Sequence, residues 1–269
     1  MNPLSVVIIT YNEEHNIADC IRSAKLVSND IIVIDCASSD QTVAIANNEG
    51  ASTYIIDWRG YGHSKNFGAA RAKFNWILSL DADERISAGL ADFIRNENFT
   101  DGNYIYKFKR NNHVSGNKIR FGTLGFEMIE RIYHRHYSEW DLGPVHEKLV
   151  AGRPIKKTIG GHLQHFGLQT MAEHRQKAIF YARLSAEKYF AQGKRTHFFQ
   201  RLASAIFNSV KSYIFLLGFM DGKRGFFIAK GVAYYSWLKY YYLYQLQKKS
   251  CTNGVNIHKH TVIIKAVSN

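Results

Sequence analysis

Ile77-Leu78-Ser79-Leu80-Asp81-Ala82-Asp83-Glu84-Arg85 is the stretch on which the fold turns. Ile77 to Leu80 read as the end of a buried strand. Two carboxylates then arrive with one small residue between them. A strand alternates its faces, so Asp81 and Asp83 point the same way if the extended geometry continues. Two carboxylates on one side repel each other unless a cation sits between them. Mg²⁺ or Mn²⁺ suits that position, with phosphate oxygens as further ligands. Asp-x-Asp by itself equally describes a solvated acidic turn, so its meaning depends on what precedes it.

Leu4 to Thr10 is a continuous apolar run, as expected of a strand covered on both faces. Asn16 is placed to cap a helix over 17–27. Asp30 to Asp35 is a second buried strand ending in an acid, followed by the turn Cys36-Ala37-Ser38-Ser39-Asp40. A helix over 41–49 stops at Gly50. Residues 52–57 read as a third strand, 58–65 as a glycine-containing loop, 66–75 as a helix and 76–80 as the fourth strand. This alternation predicts an α/β fold with a doubly wound, mostly parallel sheet and right-handed crossovers. Ligands bind such sheets at the carboxyl ends of the strands, where Thr10-Tyr11-Asn12-Glu13, Asp35 and Asp81-Ala82-Asp83 converge. No glycine-rich dinucleotide fingerprint or phosphate-binding P-loop is present.

Thr10-Tyr11-Asn12-Glu13-Glu14, Val33 to Thr42, Lys65-Asn66 and Leu80-Asp81-Ala82-Asp83-Glu84 come in the order and spacing that resembles family 2 glycosyltransferases of the GT-A fold. Arg131 to Arg135, Gly143 to Leu149 and Gly218 to Phe226 resemble a narrower subgroup, which includes bacterial enzymes adding glucose to the lipopolysaccharide inner core. The resemblance implies an inverting transfer of a sugar, glucose in that subgroup, from a UDP-sugar to an acceptor hydroxyl. It implies that Asp35 contacts the uracil or ribose and that Tyr11 and Glu13 frame the base, beside Thr10. Asp83 is then the more direct ligand of Mg²⁺ or Mn²⁺, and Asp81 lies nearer the ribose while sharing the metal. Lys65 or Arg71 touches the diphosphate, or either is a surface cation at a helix start. Glu147 is the general base, with Glu127, Glu130 and Asp141 as competitors, and His146 is a further metal ligand or a diphosphate contact. The chain departs from many relatives in lacking a Glu-Asp pair for the base. It also lacks a Gln-x-x-Arg-Trp motif, which argues against a processive synthase. Residues 103–140 are read as the acceptor side, with 111–125 a flexible loop. Arg120, Arg131 and Arg135 there are solvated or read acceptor phosphates.

The 269 residues carry 46% hydrophobic and 14% aromatic side chains, enough for a real core. Three widely spaced cysteines exclude a disulfide framework or a Cys-x-x-Cys zinc site and point to a reducing compartment. The N-terminus reads as a core strand with no signal peptide. The net charge of +13 is uneven. Residues 1–150 hold 16 Lys and Arg against 19 Asp and Glu, whereas residues 151–250 hold 17 against 3. Such a basic segment calls for a polyanionic partner. Helices are expected over 170–192, 197–219 and 225–247. Their apolar runs are shorter than the ~18 residues of a membrane span, but basic, aromatic-rich amphipathic helices suit a membrane interface. The same helices could instead pack as a hairpin or against a second copy in a homo-oligomer.

These readings divide the chain into a nucleotide-sugar-binding and catalytic domain (1–165), an amphipathic helical extension for membrane or oligomer contact (166–250) and a tail of no assigned role (251–269). They place it in the cytoplasm, peripheral on the inner face of a bacterial inner membrane. Its expected partners are a UDP-sugar donor, a membrane glycolipid acceptor and anionic lipid, with no nucleic acid. The alternative is a non-catalytic GT-A-like protein that binds anionic lipid or nucleic acid through the basic helices.

Overall fold

A computed structural model describes residues 3–143, 147–168 and 171–253. β1 (Leu4–Thr10) and β2 (Asp30–Asp35) flank α1 (Ile17–Ala24) in sequence. α2 (Thr42–Asn48), β3 (Ser52–Ile55), α3 (Tyr61–Arg71) and β4 (Trp76–Asp81) follow. These four strands are parallel and lie in the order β3-β2-β1-β4. They are parallel because each crossover is a helix, and apolar because helices or hairpins cover both faces. Leu4, Val6 and Ile8 of β1 face a layer with Ile17, Cys20 and Ile21 of α1, while Val7 and Ile9 face Ala69 of α3. The two-residue period of the strand thus feeds two cores.

Beyond β4 the sheet becomes mixed. β5 (Glu84–Ile86), α4 (Ala88–Asn96), β6 (Tyr104–Val114), β7 (Asn117–Lys118), β8 (Glu127–His134), β9 (Ser138–Trp140), β10 (Leu149–Ala151) and β11 (Ile155–Leu168) complete the α/β part. The path continues β4-β8-β6-β11-β5. β8 is antiparallel to both neighbours, and β11 is parallel to β6. β9 and β10 form a separate hairpin over the α3 face. The mostly parallel α/β sheet expected from the sequence is present, with an antiparallel strand inserted at β8.

Four local expectations are corrected. The extended geometry does not continue past Asp81: the chain turns at Ala82 and Asp83 and returns as β5, antiparallel to β11. Residues 58–65 are not all loop, because α3 starts at Tyr61. Its first turn is Gly62, His63, Ser64 and Lys65, a poor helix former by propensity. Tertiary packing selects it: Gly62 lies so close to the Asp141 carbonyl that a Cβ there would meet it at 1.9 Å. Residues 111–125 are not one flexible loop. β6 runs on to Val114, with Asn111 and Asn112 buried, and turns through Ser115 and Gly116 into β7. The helix expected over 197–219 ends early. α6 (Phe198–Val210) passes into one π-helical turn (Lys211–Phe215), a left-handed Leu217 and a 3₁₀ turn (Gly218–Asp221).

α5 (Met171–Ala191) and α7 (Lys223–Asn253) complete the chain, and α5 and α6 both pack on α7. One stripe of α5, Ala178, Ala182, Ser185 and Ala186, is buried. Much of the aromatic density of α7 is used inside this bundle. Tyr235 shares a hydrogen bond with Ser185, and Lys239 sits over the rings of Tyr189 and Tyr240. Arg201 of α6 is buried among Phe198, Trp237 and Tyr244. Among the described residues no helix is long and apolar enough to cross a membrane. β11 runs through residue 165, where a domain boundary was expected. The tail beyond Asn253, with Val262-Ile263-Ile264, lies outside the described residues.

Candidate active site

Strand register assembles the site. Thr10 pairs with Asp35 across β1 and β2, and Ile9 pairs with Asp81 across β1 and β4, so three carboxyl ends stand side by side. Asp35 is fully buried and closes the turn after β2, accepting from the Ser38 amide at 2.8 Å and from its hydroxyl at 2.5 Å. Asn12, left-handed at φ 52°, ties the neighbouring loop on: its amide donates to Ser38 Oγ, and its Oδ1 accepts from the Ser39 amide. The Glu13 amide donates to Thr42 Oγ1, and its carboxylate accepts from Asn16. Tyr11 is exposed at the rim, and the Thr10 hydroxyl is buried without a hydrogen-bond partner. These residues thus frame one cleft, with Asp35 holding its floor.

The cleft continues into a chain of alternating charges. Glu127 holds Arg110 through two oxygens, and Arg110 reaches Glu84 at 3.1 Å. Glu84, fully buried, also accepts from Arg131 at 2.9 Å and from the Asp81 amide. Arg131 reaches Asp81 at 2.6 Å. Lys65 lies 3.5 Å from the other Asp81 oxygen and 2.5 Å from Glu147. Buried charges persist only when paired, and here each side chain satisfies the next. Burial alone would raise the Asp81 carboxyl; Arg131 and then Lys65 outweigh it and hold it well below the usual carboxylate range. Arg131, expected to be solvated or to read acceptor phosphates, is buried inside this chain.

Lys65 and Asn66 explain each other. Lys65 is fully buried and lies 4.4 Å over the Trp140 ring. Asn66 clamps the backbone of the same residue, donating to the Trp140 carbonyl and accepting from its amide. One turn of α3 therefore fixes the β9–β10 hairpin, and the segment between its strands carries Glu147. The sequence-level competitors of Glu147 are otherwise engaged: Glu127 with Arg110, Glu130 with Lys156, and Asp141 with the Gly143 amide. Arg71 lies over the Phe67 ring and bonds the Phe67 carbonyl. His146 lies outside the described residues.

Asp83 faces a different partner from Asp81. Its Oδ2 lies 3.4 Å from His165 Nε2 and 3.7 Å from Lys177 Nζ. Burial pushes its carboxyl up, but His165 outweighs that and holds it at about 2. The other ring nitrogen of His165 lies 2.6 Å from Asn112 Oδ1. Asn112 Nδ2 already donates to the Leu124 carbonyl and to Glu127, so Oδ1 must accept and His165 Nδ1 must donate. The lone pair of a neutral His165 is then on Nε2, aimed at a carboxylate. That contact is favourable only with a proton or a cation between them, and an imidazole held by a second partner is the usual form of a metal ligand.

Asp83 and His165 therefore fit a divalent ion completed by phosphate oxygens, whereas both oxygens of Asp81 are occupied by Lys65 and Arg131. Among the described residues no three His, Cys, Asp or Glu side chains gather around one point. His165 went unnoticed in the sequence because its partners lie in β6 and in the turn after β4. The run His162-Leu163-Gln164-His165 was the available signal. α5 adds Tyr181, whose hydroxyl lies 3.0 Å from that of Tyr61 and whose ring stacks on it.

Residues 5–132 match the sequence model of glycosyl transferase family 2. An uncharacterised glycosyltransferase of Rickettsia prowazekii is 27% identical over 237 residues, covering 84% of this chain and 81% of that protein. The lipopolysaccharide core biosynthesis glycosyltransferase LpsC of Rhizobium meliloti is 26% identical, covering 90% and 92%. Among solved structures, mannosyl-3-phosphoglycerate synthase from Rubrobacter xylanophilus superposes with a TM-score of 0.45 at 15% identity, covering 72% of this chain and 76% of that one. Residues 5–132 thus carry a glycosyl transferase family 2 domain, and the chain is a glycosyltransferase.

Proposed function

We propose that this glycosyltransferase moves a sugar, glucose by its subgroup resemblance, from a UDP-sugar to a lipid-linked saccharide such as lipopolysaccharide inner core, with inversion at the anomeric carbon. The observation that carries the reading is the cleft at the ends of β1, β2 and β4, where a buried Lys65 joins Asp81 to Glu147 and Asp83 meets His165. The extensive match to LpsC supports the acceptor class. In this reading Asp35, Thr10, Tyr11 and Glu13 line the nucleotide side. Lys65 orients Glu147, which accepts the proton of the acceptor hydroxyl. Asp83 and His165 would hold Mg²⁺ or Mn²⁺, which supplies charge neutralisation to the leaving diphosphate when bound. The enzyme acts at the cytoplasmic face of the inner membrane, where a UDP-sugar and a lipid-linked acceptor meet.

Thermal stabilisation by UDP, with Mn²⁺ and with chelator, and UDP release from UDP-glucose with a core-saccharide acceptor test the reading. The expected result is metal-dependent stabilisation, lost in Asp83→Asn, and a fall in turnover of about 10²–10⁴-fold in Glu147→Gln. Absence of UDP binding under both conditions overturns the donor. Unchanged turnover in both variants overturns the residue roles.

A further inference from the structure

Gly218-Phe219-Met220-Asp221-Gly222-Lys223-Arg224-Gly225-Phe226 supplies none of the cleft residues named above, yet its residues are closely determined. A Cβ on Gly225 would sit 1.7 Å from the Gly218 carbonyl, and one on Gly218 would sit 2.6 Å from the Ser212 carbonyl. Leu217 is held left-handed at φ 58°, a costly conformation for a leucine. The backbone is thus folded into a tight corner between α6 and α7. What the corner shows to the outside is apolar. Phe215, Leu217, Phe219, Met220 and Phe226 are all exposed, Phe215 to 71%. α6 extends the same kind of surface through Phe199 (81% exposed), Leu202, Ile206 and Phe207. Apolar exposure on this scale marks a surface that is covered in use.

Charge identifies the cover. Between Lys194 and Lys230 the only acid is Asp221, and its carboxylate is turned inward onto the Arg120 and Phe121 amides. Lys194, Arg195, Lys211, Lys223, Arg224 and Lys230 are exposed in the same stretch. A two-fold contact with a second copy would bring two such cationic sets together, which is unfavourable. A bilayer with anionic headgroups satisfies both features at once: the aromatic and aliphatic side chains enter the headgroup–acyl boundary, and the cations meet the phosphates.

We infer that α6 and the 211–226 corner form the surface by which this chain docks on an anionic lipid bilayer. The inference rests on the reading above only for the lipid-linked nature of the acceptor. The corner is also latched to the catalytic part. The Gly122 amide donates to the Leu216 carbonyl at 2.8 Å, and the Thr123 amide donates to Ser212 Oγ. Leu124 in turn accepts from Asn112, the residue that orients His165. A chain docked through the corner therefore carries its cleft at a set height above the membrane.

Flotation of the full chain with phosphatidylcholine vesicles, with and without phosphatidylglycerol, tests this. Flotation is expected with the anionic vesicles. It should be lost in Phe215→Ser/Phe219→Ser and weakened in Lys223→Glu/Arg224→Glu, while UDP-dependent thermal stabilisation is kept. Hydrogen exchange on the unmodified chain should slow in 198–226 when anionic vesicles are added, which does not depend on any variant folding. The inference is overturned if the chain floats with neither vesicle, if the Phe double variant floats undiminished, or if protection appears only elsewhere. A dimer that this double variant converts to monomer also overturns it, making the cover a second copy. Loss of UDP binding in the unmodified chain would remove the transferase reading and leave the flotation result standing.

Discussion

Single residues in this molecule are best understood by what they would leave behind. Arg131 is the central cation of the buried charge chain, shared between Asp81 and Glu84. Replacing it with methionine keeps much of its volume but strands two carboxylates, one of them fully buried. A loss of about 3–5 kcal/mol is expected, read from denaturant unfolding, because an uncompensated buried charge costs more than the pair contributes. A change below about 1 kcal/mol would mean that the carboxylates find water or protons instead.

At the scale of elements, short segments are fixed by their neighbours rather than by propensity. The first turn of α3 forms against the Asp141 carbonyl, and β6 extends through two asparagines because each finds a structural place beside β11. The corner between α6 and α7 is the clearest case. The Asp221 carboxylate accepts from two successive amides, Arg120 at 3.0 Å and Phe121 at 2.8 Å. Asp221→Ala should lower stability by about 1–3 kcal/mol, the cost of unsatisfied donors. It should also speed hydrogen exchange of the 120–124 amides ahead of the β-sheet. Equal protection before and after the substitution would show that the corner is held by packing alone.

Across the whole molecule the acids and bases are separated. The near-neutral α/β part keeps its charges in internal pairs, while the basic helices present theirs outward. Burial raises the Glu127 carboxyl, but Arg110 more than compensates, and the group ends below its ordinary range. A carboxyl depressed in the fold contributes stability above its unfolded value, about 4.3, and loses it as pH falls through the folded value. Melting temperature should therefore hold across neutral pH and drop on acidification below about pH 4, with a smaller drop in Glu127→Gln. A melting temperature insensitive to acid in the parent chain would contradict the charge chain as a source of stability.

The apolar runs of β1, β2 and β4 and the polar residues that end them were legible in the sequence. A strand covered on both faces must be continuously apolar, and its end is where polarity returns. The positions of Asp35, Asp81 and Asp83 followed from that rule, and so did the α/β class. Their partners did not follow, because they come from segments distant in sequence: Lys65 meets Glu147 across 82 positions, and Asp83, in the turn into β5, meets His165 of β11, the strand that pairs with β5. No periodicity encodes such a contact. The turn at Ala82 gave the two acids different neighbours, Arg131 and Lys65 for Asp81, His165 and Lys177 for Asp83. The separate surroundings of that Asp-x-Asp pair were decided by tertiary packing, since only the folded sheet brings a counter-charge to each carboxylate.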